Sequence, residues 1–259
     1  RGRLEALSHG NVGPTEATAA VRRLAAALKT KPAAAADLLR RRMLVGQPGE
    51  ALRTRERLAG NNSAWRAEFA LGPDDPERRA AAAVLASFVA EPVYTELRTR
   101  QQLGYIVSAT ALEDARELLV NVVVQSGTHP ADAIEARARA ALAQLPAQLA
   151  QLPDAAWQTL VDGVRDALRE QDKTIAARAG RLFQLAYEYQ ADWARRDATL
   201  AALDGLTRAR AVGLLAAALD PKTARARSFL GFARDHAPGA AAEGAIDDVR
   251  RWKRGRRYE

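Results

Sequence analysis

The chain has 259 residues, 48% apolar and only 5% aromatic, with a mean hydropathy of −0.27, which describes one or two globular domains in water with cores built on Ala and Leu. Its lack of cysteine excludes disulfides and thiolate metal sites and leaves both a reducing and an oxidising compartment open. A net charge of +8 admits anionic partners, but arginine is interleaved with acids throughout and dense only at 250–257; with no basic helix carrying interleaved aromatics, nucleic acid is not the expected partner.

The longest apolar runs, such as 80–86 and 118–124, fall far short of the roughly 20 residues a bilayer requires, so no membrane span is expected. Nothing like a charged segment followed by an apolar one precedes Leu4, and the chain starts at Arg1, so its start is expected to be either missing or processed away.

Residues 4–9 read as a short strand and His9-Gly10-Asn11 as a turn. From Pro14 or Thr15 to about Leu28, Val21, Leu24, Ala25 and Leu28 share one helical stripe. Residues 1–36 are therefore expected to end one domain, with a linker around Pro32 and the alanine run. A second domain is expected over 37–235, followed by a basic tail over 236–259.

Residues 38–46 and 50–58 read as two strands, the first disturbed by Arg40-Arg41-Arg42. Trp65, Ala67, Phe69 and Leu71 alternate with Arg66, Glu68 and Ala70 in a third strand that Gly72-Pro73 should stop. Asp74 or Asp75 can cap the next helix, with Pro76 in its first turn and Val84, Leu85, Phe88 and Val89 on its buried face. Pro92 should kink or restart that helix. A hairpin of 105–112 and 117–125 turns at Glu113-Asp114, and its Val-rich second strand predicts a central place in the sheet.

Three helical stripes follow: Ile134, Ala138, Ala141, Leu142 and Leu145; Trp157, Leu160, Val161, Val164 and Leu168; Ile175, Leu182, Ala186 and Tyr189. A last helix over 206–219, capped by Thr207, leads to a strand over 225–232. The order predicts an α+β fold, a mixed or antiparallel sheet with helices packed on one face.

Little in this order can carry chemistry. His9, His129 and His236 lie more than 100 residues apart, each in an expected turn and each read as a surface or capping residue. No Gly-x-Ser-x-Gly elbow and no Gly-rich phosphate loop occurs. The junction between helix and hairpin is different: Leu97-Arg98-Thr99-Arg100-Gln101-Gln102-Leu103-Gly104-Tyr105. Gly104 sits where a strand must begin beside another backbone or a bound peptide; Arg98 offers a planar fork of donors and Tyr105 a hydroxyl, groups that grip carbonyl oxygens. From residue type alone, Arg98 equally suits a cap on the last helical carbonyls and Tyr105 a half-buried core position.

This nonapeptide resembles the Leu-Arg-Thr-x-x-Gln-Leu-Gly-Tyr segment in the C-terminal half of the pitrilysin and insulin-degrading zinc peptidases, the inverzincins. Residues 4–12 (LEALSHGNV) resemble the strand and turn closing that family's third domain, and Ile246-Asp247-Asp248-Val249 through Trp252-Lys253-Arg254 to Tyr258 resemble its closing segment. The resemblance implies the end of domain three and all of domain four of a zinc metalloendopeptidase that degrades peptides. The family's His-x-x-Glu-His is absent, so the zinc would belong to an N-terminal catalytic half, the expected partner, and this chain alone would hydrolyse nothing. Arg98 and Tyr105 would reach across a closed chamber to the substrate and its transition state. A periplasmic location is implied, a cytoplasmic one being the other option. A zinc-free subunit of the same superfamily, acting as scaffold or partner of a separate catalytic chain, is the alternative.

Overall fold

The computed structural model describes residues 2–29, 31–38, 44, 47–114, 116–239, 245–246, 248–256 and 258. In chain order its longer elements are α1 (Pro14–Leu28), β1 (Ala51–Arg57), β2 (Ser63–Pro73), α2 (Pro76–Val93), β3 (Ile106–Asp114), β4 (Glu117–Ser126), α3 (Ala131–Leu142), α4 (Leu145–Ala150), α5 (Asp154–Arg169), α6 (Ile175–Phe183), α7 (Arg195–Asp204), α8 (Arg208–Leu219), β5 (Ala226–Phe232), β6 (Ala245–Ile246) and α9 (Val249–Arg254). Two compact units result, residues 1–42 with 169–197, and residues 43–168 with 198–259.

In the first unit α1 has the expected bounds, with Pro14 in its first turn and Lys29 left-handed at its end. None of its residues is buried. Residues 4–9 form no strand: the nearby pairing is a single bridge between Gly2 and Pro32. Alternation makes a strand only where a neighbouring strand supplies hydrogen bonds, and among the described residues none lies beside this segment. α6 is capped by Thr174, whose hydroxyl accepts from the Ala177 N–H, and passes into a π-helical turn, Gln184–Glu188. Its stripe begins at Ile175, which is exposed, and Leu185 is the residue this turn buries.

The second unit is built on a six-stranded mixed sheet in the order β3-β4-β2-β5-β1-β6, with β3, β4, β2 and β5 antiparallel in turn and β1 parallel to both β5 and β6. β2 sends Trp65, Ala67, Phe69 and Leu71 into the core, as its alternation predicts. Against that face pack α2 on β3 and β4, and α3 and α8 on β2. Val84, Leu85, Phe88 and Val89 are all buried there, with Ile134, Leu142 and Leu145. The far face carries charge: Arg227 lies 3.0 Å from Glu68, and the Arg66 Nε donates to the Asn121 side chain at 3.0 Å. This is the expected α+β fold.

Several details differ from the sequence reading. Residues 39–43 and 45–46 of the first expected strand lie outside the described residues, and Leu44 makes one bridge with Tyr258. β2 does not stop at Gly72-Pro73 but runs through them to face Glu117 and Leu118, with a bulge between Ala70 and Gly72 and Gly72 at φ 120°. The hairpin turns two residues later than expected, with Arg116 left-handed at φ 76° and Glu113 and Asp114 still in β3. It is also peripheral, because β5, from far along the chain, inserts between β1 and β2 and moves the centre of the sheet there. α7 and α9 were not foreseen; α9, within the expected tail, is capped by Asp248.

α2 with its continuation, Pro76–Arg100, is long and apolar enough to cross a membrane by length and composition, but half of its most apolar window is buried inside the protein. The helix that fills a core passes the same test.

Candidate functional site

The junction is assembled by a change of helical winding. Pro92 has no N–H, yet the helix continues through it to Val93 without the expected restart. Beyond it the Tyr94 N–H bonds to Ala90 and Glu91, and the chain widens into a π-helical segment, Tyr94–Arg100, closed by the Gln101 N–H on the Glu96 carbonyl. Such widened turns are uncommon and recur at functional sites. Two fully buried leucines hold it, and the Leu103 N–H donates to the Leu97 carbonyl at 3.0 Å. Gln102 between them is left-handed at φ 50°.

Gly104 then brings the chain against β4. A Cβ there would stand 1.8 Å from the Gln125 carbonyl oxygen, so of the two neighbours its sequence position allows, the structure supplies the protein's own backbone. The next residue, Tyr105, is 85% exposed, which overturns the half-buried core reading of this side chain.

Arg98 stands over the Tyr105 ring, its guanidinium carbon 5.5 Å from the centroid, within cation–π range. Among the described residues its guanidinium makes no hydrogen bond or ion pair, so it does not cap the helix carbonyls. The carboxylate nearest in sequence is taken: Glu96 accepts from Gln101 Nε2 at 2.9 Å and from Arg100 at 3.2 Å, and these bonds hold its carboxyl below the usual range. Glu96 also lines a groove of about 270 Å³ with Pro92, Ala141, Gln144 and Gln148, a groove that Arg98 does not line. The arrangement leaves a half-buried cation beside an exposed phenol, 5.5 Å from its ring.

Among the described residues no three His, Cys, Asp or Glu side chains cluster as metal ligands. Sequence separation nevertheless hid a grouping. Ser63 and Ser126 face each other across β2 and β4; the Ser63 hydroxyl pairs with His236 Nδ1 at 2.8 Å and accepts from the Ala233 N–H, while the Ser126 hydroxyl accepts from the His129 N–H at 3.0 Å. His129 Nδ1 meets the Thr128 hydroxyl at 2.9 Å. Burial, then the charges of Arg137 and His236, push the His129 pKa down.

Residues 84–183 match the family model for the PQQ synthase PqqF-like C-terminal lobe domain 4. A Schizosaccharomyces pombe protein described as a zinc protease is 29% identical over 155 residues, 58% of this chain and 16% of that protein. Pitrilysin superposes with a TM-score of 0.82 at 19% identity, over 96% of this chain and 27% of its own. The inactive domain of a Pseudomonas fluorescens M16 peptidase gives 0.59 at 16% identity, over 88% of this chain and 53% of that one. The Escherichia coli periplasmic protease PqqL gives 0.58 at 15%, over 86% and 24%. The chain thus spans about a quarter of pitrilysin's length and less of the yeast protein's. Together these matches show that the chain is similar to C-terminal parts of M16-family proteases and shares their fold.

Proposed function

We propose that this chain is the non-catalytic C-terminal part of a zinc-dependent metalloendopeptidase, contributing wall to a closed chamber and two donors to a peptide held there. The observation that carries the reading is the pairing of half-buried Arg98 with exposed Tyr105, neither engaged by a carboxylate among the described residues, on a junction locked by Leu97, Leu103 and Gly104. The yeast relative's description as a zinc protease and the fold of pitrilysin support it.

Zinc, bound by the N-terminal half, would polarise the scissile carbonyl and acidify its water. Tyr105 would donate its O–H to the oxygen on which charge develops, and Arg98 would hold a neighbouring substrate carbonyl through two N–H groups. Losing one donor of the first kind costs about 10² to 10³ in kcat, because the interaction is made only in the transition state.

In the full-length protein Tyr105→Phe should therefore lower kcat by about that factor with little change in KM, whereas Arg98→Ala should affect both. An unaltered kcat in Tyr105→Phe removes the transition-state role. Residues 1–36 are assigned to the end of the preceding domain, and the periplasm to the whole protein, on the likeness to a periplasmic protease.

A second reading is a zinc-free scaffold subunit, favoured by the likeness to a domain described as inactive. The natural sequence ahead of Arg1 decides between them: a His-x-x-Glu-His upstream in the same chain supports the peptidase.

A further inference from the structure

The groove beside Glu96 offers a chemistry that Arg98 and Tyr105 do not. It is lined by the end of α2 with its π-helical continuation and by the corner between α3 and α4, where Pro92, Ala140 and Ala141 are too short to fill the space. Its floor is apolar, with Val93 and Leu145 buried and Pro92 and Ala141 half-buried. Gln144 and Gln148, one helical turn apart, stand exposed at its rim, and among the described residues neither side chain makes a hydrogen bond.

Among the described residues that line the groove, Glu96 alone is charged. A carboxylate can accept about four hydrogen bonds, and Glu96 uses two, from Gln101 and Arg100. Arg100 lies outside the groove with its side chain 72% exposed, so its i,i+4 pair with Glu96 is a weak surface contact, easily shared with a second cation. An anion would meet no positive partner here, and an apolar ligand would leave the carboxylate and both carboxamides unmatched. A volume of about 270 Å³ falls just under the roughly 300–1,000 Å³ of pockets that hold whole small molecules, so the space suits a single side chain.

We propose that this groove binds the side chain of an arginine in a peptide segment, its guanidinium on Glu96 and its methylene stem over Pro92, Val93 and Leu145. The planar fork of five N–H donors matches the free lone pairs of Glu96 together with the side-chain carbonyls of Gln144 and Gln148, while the stem covers apolar surface. A lysine ammonium, with three donors on a point charge, matches fewer of these acceptors. The inference does not rest on the peptidase reading and holds equally for a zinc-free subunit. It does bear on the same turn, because Glu96 receives both the N–H and the side chain of Gln101, the bonds that close the winding which carries Arg98.

The test follows the methyl NMR signals of Val93 and Leu145 in full-length protein with its zinc chelated, as Nα-acetyl-arginine methylamide is added. Both signals should shift saturably. The citrulline analogue, of the same shape with a neutral urea, should bind more weakly by about tenfold or more, and Glu96→Gln should weaken the arginine probe by a similar factor. Ala140→Leu fills the groove from an exposed position on α3, so it should abolish the shift while leaving the melting midpoint in place.

Equal affinity of the arginine and citrulline probes overturns the proposal, as does a lysine analogue that binds as tightly as arginine. A saturable shift that survives Glu96→Gln unaltered or persists in Ala140→Leu also overturns it, and so does the absence of any shift up to the solubility limit of the probe. None of these outcomes touches the roles of Arg98 and Tyr105, which the kcat of Tyr105→Phe decides separately.

Discussion

A methyl group at position 104 would stand 1.8 Å from the Gln125 carbonyl oxygen, and that obstacle is backbone, unable to swing aside as a side chain could. Gly104→Ala should therefore destabilise the unit by about 2–3 kcal/mol, the scale of overpacking in a closed space, seen as a lower urea midpoint at unchanged slope. Tyr105→Phe should leave the midpoint within about 0.5 kcal/mol, since the hydroxyl it removes belongs to an exposed side chain. A stability defect and a catalytic defect are thereby separable one residue apart. The need for glycine was legible from its place at a strand start. The engagement of Glu96 was partly legible, since Arg100 stands at the i, i+4 spacing that pairs it with this carboxylate and Arg98 at i+2 does not, while the bond from Gln101 depends on the winding of the turn.

Elements were legible where one local rule decided them. The start of α2 is such a case, with two neighbouring aspartates left as possible caps. Asp75 is the cap, accepting from the Arg78 N–H at 2.8 Å, while Asp74 lies 3.1 Å from Arg79 with both side chains almost fully buried. Asp75→Ala should cost about 1 kcal/mol, the worth of a helix cap. Asp74→Ala should cost more, about 3 kcal/mol, by leaving a buried guanidinium without its counter-charge. Equal melting shifts for the two variants would contradict this division of labour. The hairpin's place was illegible for a different reason: β4's valines report burial on both faces, which neighbouring strands and helices provide, but not which strand lies outermost. That depends on β5, about 100 residues further on. The π-helical segment likewise follows a proline whose effect on winding depends on where the buried Leu97 must land.

At the scale of the molecule, the fold class was readable from element order, and the grouping of His129 with His236 was not, because two turns separated by more than 100 residues meet only through the β2–β4 register that pairs Ser63 with Ser126. That grouping has a pH consequence. The folded-state pKa of His129 is lowered, so between it and the ordinary imidazole value the unfolded chain binds more protons than the folded one. Its contribution to stability is complete above the ordinary value and is lost as pH falls toward the folded one. Thermal melts from pH 7.5 to 5 should show this slope in the wild type and a shallower one in His129→Gln. The two units should also differ in cohesion. α1 buries nothing, and Leu24 and Leu28 on its stripe are 47% and 50% exposed, whereas the core of β2 and β4 is sealed. If residues 1–36 end a domain whose remainder lies ahead of them, that stripe is the face which the remainder covers. In the isolated 259-residue chain, α1 amides should then exchange by local fraying, orders of magnitude faster than those of β2 and β4, which open only with global unfolding. In the full-length protein the α1 amides should slow toward the rates of a core helix. Equal α1 exchange in the two proteins would place residues 1–36 outside any preceding domain.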